Sequence, residues 1–137
     1  MKHKILIVTA NYYKNISKNL VEDTKLTLKK NKVKYETIDV PGVFEIPVVI
    51  AKNITKYDGF IALGCVIKGE TPHFDFISKT TIDAIMKLSV ESKKPIGNGI
   101  LTCMNVSQAY IRSDLKGDRR KGKKAAEAVL SVLGFKT

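Results

Sequence analysis

Two hydrophobic periods alternate along this chain, and their order limits it to very few folds. Ile5-Leu6-Ile7-Val8 is a continuous, largely β-branched run of strand length, as expected of a strand buried on both faces. After the polar Asn11-Tyr12-Tyr13-Lys14-Asn15, the residues Ile16, Leu20 and Leu28 recur at multiples of four among lysines. That spacing predicts an amphipathic helix over residues 16 to about 30. Residues 33–40 read as a second strand, stopped by Pro41-Gly42. Residues 43–54 read as a short apolar helix, in which Pro47 is tolerable only within the first turn. Phe60-Ile61-Ala62-Leu63 is a third strand, and residues 74 to about 91 carry a helical face of Phe74, Ile77, Ile85 and Leu88. Residues 95–102 give a fourth strand, and the chain is helical from Val106, with Gly117 and Gly122 breaking or kinking it before the run at 125–133.

Strand and helix in strict alternation imply a mostly parallel sheet covered by helices on both faces, joined by right-handed crossovers. The expected fold is α/β: a three-layer αβα sandwich, flavodoxin-like, with a four-stranded parallel sheet. At 137 residues the chain holds one real core and is too short for two ordinary domains, so residues 1–137 are read as a single domain.

No segment approaches the roughly 18 uninterrupted apolar residues of a membrane span. The apolar stretch near the N-terminus is short and lacks a small-residue cleavage site, so it is read as a strand and not as a signal. Cys65 and Cys103 lie far apart, which indicates neither a disulfide framework nor a zinc site and fits a reducing cytoplasm. The charge, 24 Lys+Arg against 13 Asp+Glu, is +11 and favours anionic partners such as phosphate esters or nucleic acid. Its densest part, residues 112–124, is either a solvated helix end or an anion-binding surface. No glycine-rich nucleotide loop occurs, and no carboxylate follows the first strand, so dinucleotide binding and phosphorelay are disfavoured.

Ligands of open parallel sheets bind beyond the carboxyl ends of the strands. That rule selects Asn11-Tyr12, Gly42-Val43-Phe44-Glu45, residues 65–73 and Thr102-Cys103-Met104-Asn105. The loop Lys68-Gly69-Glu70-Thr71 enters a helix, so it either cradles a phosphate with backbone N–H groups or is a cap built on Thr71 and Pro72. Glu70, an acid, argues against the anion.

His73 stands in the first turn of that helix, where the dipole favours the neutral imidazole. It is a general acid/base or a structural histidine, and Asp75 orients its ring or caps the helix. Cys65 with His73 as its base would be a nucleophile pair, but a cysteine ending an apolar strand is usually buried and inert. Cys103 is likewise read as packing, and His73 has no companion ligand for a metal. Glu45, an acid opening an otherwise apolar helix, suits hydrogen bonds from a polyol or an amide-rich ring.

Taken together, PGVFEIP at residues 41–47 and LGCVIKGETPHFD at residues 63–75 resemble the two long motifs of the lumazine synthase family. Residues 99–102 (GILT), Gln108-Ala109, Arg112 and Lys121-Gly122 follow in that family's order. The resemblance implies a transferase of riboflavin biosynthesis that needs neither metal nor cofactor. It joins 5-amino-6-(D-ribitylamino)uracil to 3,4-dihydroxy-2-butanone 4-phosphate, giving 6,7-dimethyl-8-ribityllumazine with release of phosphate and water. By the same resemblance, the backbone at Val43-Phe44 and the side chain of Glu45 hold the ribityl chain, Val66 and Ile67 line the pyrimidine pocket, and Gly42 and Cys65 beside them belong to the substrate-binding residues. Gly69, Glu70 and Thr71 bind phosphate, His73 shuttles protons, Arg112 pairs with the phosphate, and Lys121 matches a further substrate-site lysine of the family.

Where the family places an aromatic that stacks on the pyrimidine, this chain has Asn11, with Tyr12 the nearest substitute. Asn98 stands where many members have phenylalanine, and Met104 where a glutamate is common. The family also implies a homopentamer with sites between subunits, the Asn98, Arg112 and Lys121 side coming from the neighbour. The short N-terminus and kinked basic segment favour one pentamer over a capsid of twelve. The alternative is an oligomer without catalysis that binds a flavin-like ligand or a polyanion.

Overall fold

A computed structural model of the chain describes residues 3–70 and 72–136. Its elements run β1 (Lys4–Ala10), α1 (Lys14–Lys30), β2 (Lys34–Val40), a 3-10 turn (Val43–Glu45), α2 (Ile46–Lys52), β3 (Gly59–Ile67), α3 (His73–Ser92), β4 (Ile96–Cys103), α4 (Val106–Ser113) and α5 (Lys121–Val132). The four strands form one parallel sheet in the order β2-β1-β3-β4.

Alternate residues of each strand serve opposite layers, which is why the strands read as unbroken apolar runs. Ile5, Ile7, Ile61, Leu63 and Leu101 face α1, α4 and α5 through Ile16, Leu20, Ala109, Ala126 and Leu130. Leu6, Val8, Phe60, Ala62 and Ile100 face the 3-10 turn, α2 and α3 through Val43, Ile46, Ile50 and Ile85. Phe60 is among the largest side chains with no exposure at all, so Phe60→Ala is expected to cost about 3–5 kcal/mol. The sequence expectation of a three-layer, four-stranded α/β sandwich is the architecture found.

Three local expectations need correction. β3 does not end at Leu63 but runs to Ile67, and Lys68 still donates its N–H to the Cys103 carbonyl at 2.9 Å. Cys65, Val66 and Ile67 are therefore strand residues and not part of the following loop. Gly64 interrupts the run of large side chains because a β-carbon there would meet Val43 Cγ1 at 2.7 Å and Ala10 at 3.1 Å.

Gly122 neither breaks nor kinks a helix: it lies in the first turn of α5 and is buried. A β-carbon on it would meet the Leu20 carbonyl oxygen at 2.5 Å, so its bareness lets α5 close on α1. Gly117 does fall in the loop between α4 and α5. Finally, α3 is capped at Pro72, not at Thr71, and Thr71 lies outside the described residues. Pro47 sits in the first turn of α2, as its missing N–H requires.

Strand order reverses at β1, since β2 lies on one side of it and β3 on the other. Loops leaving β1 and β3 therefore diverge and open a crevice between them at the carboxyl end of the sheet. At the other extreme β4 is an edge strand. Pro95 and Cys103 turn their carbonyls toward β3, so the even-numbered residues between them turn their backbone groups outward. One of these, the Ile100 N–H, is satisfied by Asn98 Oδ1 at 3.0 Å.

Candidate functional site

The crevice at the strand reversal is a groove of ≈ 590 Å³. Tyr12 and Tyr13 from the end of β1 line one side, and Gly42, Val43 and Phe44 from the end of β2 line another. Cys65, Val66 and Ile67 form the wall from β3, and His73 and Ile77 project from the first turns of α3. The walls are apolar, with few polar groups among them, the usual character of a small-molecule cleft.

Tyr12 is 75% exposed and Phe44 61%, so both rings present a face to whatever enters. The two tyrosines stand edge to face, with centroids 4.9 Å apart. Burial, reinforced by Cys65 and Tyr12, raises the pKa of Tyr13, so its phenol remains protonated. Burial first, and the neighbouring Cys103 second, push the Cys65 thiol up to about 12. A thiolate nucleophile at Cys65 is thereby excluded near neutral pH, and Cys65 serves as wall.

His73 is the first residue of α3 and is exposed to the groove. With Ile77 one turn later it occupies the same helical face, because residues four apart align. Glu45 does not line this groove. It faces a neighbouring one of ≈ 430 Å³ between the 3-10 turn and α3, shared with Phe44, Val48 and Thr80. Its carboxylate bends back, and Oε1 would lie 3.2 Å from a β-carbon at Gly42. Asn11 likewise belongs elsewhere, to a polar groove of ≈ 380 Å³ with Lys14, Lys18 and Asp39. Gly69 and Glu70 are exposed in the loop after β3, and neither lines a groove described here.

Arg112 and Lys121 also lie apart from the His73 groove. They line a second groove of ≈ 250 Å³ at the free edge of β4, together with Arg119, Lys124 and Ile100, Leu101 and Thr102. Its lining carries four cations and no carboxylate. Arg112 is steadied from below, donating from Nη1 to Cys103 Sγ at 3.6 Å. Burial, then Lys124, then Arg112 lower the pKa of Lys121. Such a cluster is high in energy until an anion enters it. Asn98 sits on the same edge strand, exposed, with its side chain turned to the Ile100 N–H.

Sequence reading missed Arg119 and Lys124 as partners of Arg112 and Lys121, although Lys121 and Lys124 stand one helical turn apart. It also missed Tyr13 and Ile77, the latter detectable from its four-residue spacing to His73. The ion pair of Asp23 on α1 with Arg120 before α5 left no trace in any local pattern.

Residues 2–137 match the family model described as 6,7-dimethyl-8-ribityllumazine synthase. The protein of that name from Bartonella tribocorum (strain CIP 105476 / IBS 506) is 44% identical over 138 residues, covering 98% of this chain and 91% of the relative. That from Agrobacterium fabrum (strain C58 / ATCC 33970) is 43% identical over 142 residues, covering 98% and 95%. That from Novosphingobium aromaticivorans is 41% identical over 135 residues, covering 97% and 96%.

Proposed function

Because the chain belongs to the 6,7-dimethyl-8-ribityllumazine synthase family, we propose that the two grooves are the two halves of one lumazine-forming site. The reaction condenses 5-amino-6-(D-ribitylamino)uracil with 3,4-dihydroxy-2-butanone 4-phosphate. An amine attacks a ketone and water is lost as the imine forms, phosphate leaves, and a ring closes with loss of a second water. The protein must hold two reactants in register, carry protons and stabilise the departing anion.

The pyrimidine lies in the larger groove against Val66 and Ile67, with Tyr12 supplying the aromatic face. Backbone groups at Gly42, Val43 and Phe44 meet the ribityl chain, and Glu45 reaches its hydroxyls by turning from the neighbouring groove. His73 moves protons between the amine, the carbonyl and the leaving oxygen. Arg112 and Lys121 bind the phosphate, with Gly69, Glu70 and Thr71 at its other side.

The observation that carries this reading is the separation itself. The lining of the His73 groove holds no lysine or arginine, while the lining of the β4 groove holds four cations and no acid or base of neutral pH. One chain thus presents a heterocycle-binding half and an anion-binding half that share no lining residue. Side-by-side packing of subunits joins them, the β4 edge of one copy with Asn98, Arg112 and Lys121 closing the His73 groove of the next. The assembly is a homopentamer in the cytoplasm, and among the described residues no helix is long and apolar enough to cross a membrane.

The test mixes both substrates with the purified protein and follows the absorbance and fluorescence of the lumazine. A rate above a control without protein is expected, and a rate equal to it sinks the reading. Light scattering is expected to give five times the chain mass.

A further inference from the structure

The anion-binding half is fixed by a carboxylate far from it in the chain. Asp23, on α1, is only 1% exposed. Its Oδ1 accepts from Arg120 Nε at 3.0 Å and from Nη2 of the same guanidinium, across 97 residues of sequence. Its Oδ2 accepts the backbone N–H of Lys123 at 2.9 Å. One carboxylate therefore does two things: it neutralises a cation and it caps the N-terminus of α5, where a negative charge is favourable.

The neighbouring residues hold the same junction. Thr24 Oγ1 donates to the Gly122 carbonyl at 3.2 Å. Arg120 has φ 26 and ψ 69, a left-handed conformation rare for a residue with a side chain, which persists only where surrounding contacts over-determine it. Lys121 lies between Arg120 and Gly122, so its position follows from theirs. Arg112, Arg119 and Lys124 line the groove with it, and four crowded cations repel one another, so a clamped backbone is needed to keep them from moving apart.

We infer that Asp23 and Arg120 are positioning residues for the phosphate end of the site: they lock the start of α5 so that Lys121 and Lys124 line one groove with Arg112. The inference rests on reading Arg112 and Lys121 as the phosphate contacts. A second consequence concerns the helix end. A helix N-terminus is a ready anion site, and here Asp23 already fills it. The substrate phosphate is accordingly left to the side chains of the groove.

The experiment titrates inorganic phosphate and, separately, 5-amino-6-(D-ribitylamino)uracil into the wild-type assembly and into Asp23→Asn, Lys121→Ala and the double variant, by calorimetry. Asparagine keeps the volume and an acceptor for the Lys123 N–H and removes only the charge. Asp23→Asn is expected to weaken phosphate about tenfold and the ribityl-pyrimidine by less than about twofold, with no further loss of phosphate binding in the Lys121→Ala background.

Unchanged phosphate affinity, equal weakening of both ligands, or the same fold loss with and without Lys121 overturns the inference. Arg120→Gly provides an independent reading, since glycine accepts the left-handed backbone while the guanidinium is lost. The same selective loss is expected, and wild-type phosphate affinity in that variant also overturns it. Because binding is read without turnover, a wild type that forms no lumazine would refute the proposed function and leave this cycle interpretable.

Discussion

The His73 groove and the β4-edge groove are made by different means. The first is built from short segments, residues 12–13, 42–44 and 65–67 with His73 and Ile77 on α3, delivered to one place at the carboxyl end of the sheet. Its walls are backbone turns and apolar side chains that need no partner beyond the sheet they sit on. The second gathers Arg112, Arg119, Lys121 and Lys124, groups that would disperse if left alone. It depends on an ion pair that spans 97 residues. A site for an uncharged ring is a matter of shape and local sequence, whereas a site for an anion stores repulsion and so needs a distant clamp.

That contrast is most exposed to His73→Ala. The variant is expected to lower kcat about a hundredfold, the lower end of what a positioned acid/base contributes, with little change in either KM. Steady-state rates corrected for the unaided condensation check it, and an unchanged kcat with weaker binding would move His73 to the wall. Arg112→Ala is expected next in size, raising the KM of the phosphorylated ketone about tenfold, in line with loss of a charged hydrogen bond. The ribityl-pyrimidine should bind as before, and Arg112→Lys should restore only part of the loss because it lacks the planar fork.

Tyr12→Ala is the converse probe. It should weaken the ribityl-pyrimidine about fivefold, as expected of one aromatic contact, and leave phosphate untouched, while Asn11→Ala in the separate groove changes neither. Fluorescence titration distinguishes them. The smallest effect is on pH dependence. Phosphate prefers protonated Lys121, whose pKa is lowered by burial and by Lys124 and Arg112, so phosphate affinity falls as pH rises through that lowered value. Lys121→Ala should flatten the slope. The same depression makes the folded chain bind fewer protons than the unfolded one between the lowered and the ordinary value, so this lysine's contribution to stability rises with pH across that window.

How legible each region is in the sequence follows from the same difference. The strands and α1 are readable because each buries a continuous run or a clean four-residue repeat. The motif at residues 63–75 is readable because its chemistry is local. What misled was glycine. Gly64 looks like a strand end and Gly122 like a helix breaker, yet both are bare because another chain segment presses on them: Val43 and Ala10 on one, the Leu20 carbonyl on the other. A glycine that ends an element and one that admits a neighbour look alike until the neighbour is known. Asp23 is hidden for the same reason, since nothing in the pattern of α1 tells that its partner is Arg120.

The span between Asp23 and Arg120 also sets an order in time. A chain emerges N-terminus first as it is synthesised, and closures between distant segments come late. A nascent chain has Tyr12, Phe44, the β3 wall and His73 in hand well before Arg120 leaves the ribosome. The start of α5 is therefore among the last segments to dock, and a chain cut short before residue 120 would lack Ala126, Val129 and Leu130 of the core together with the clamp on the cation groove.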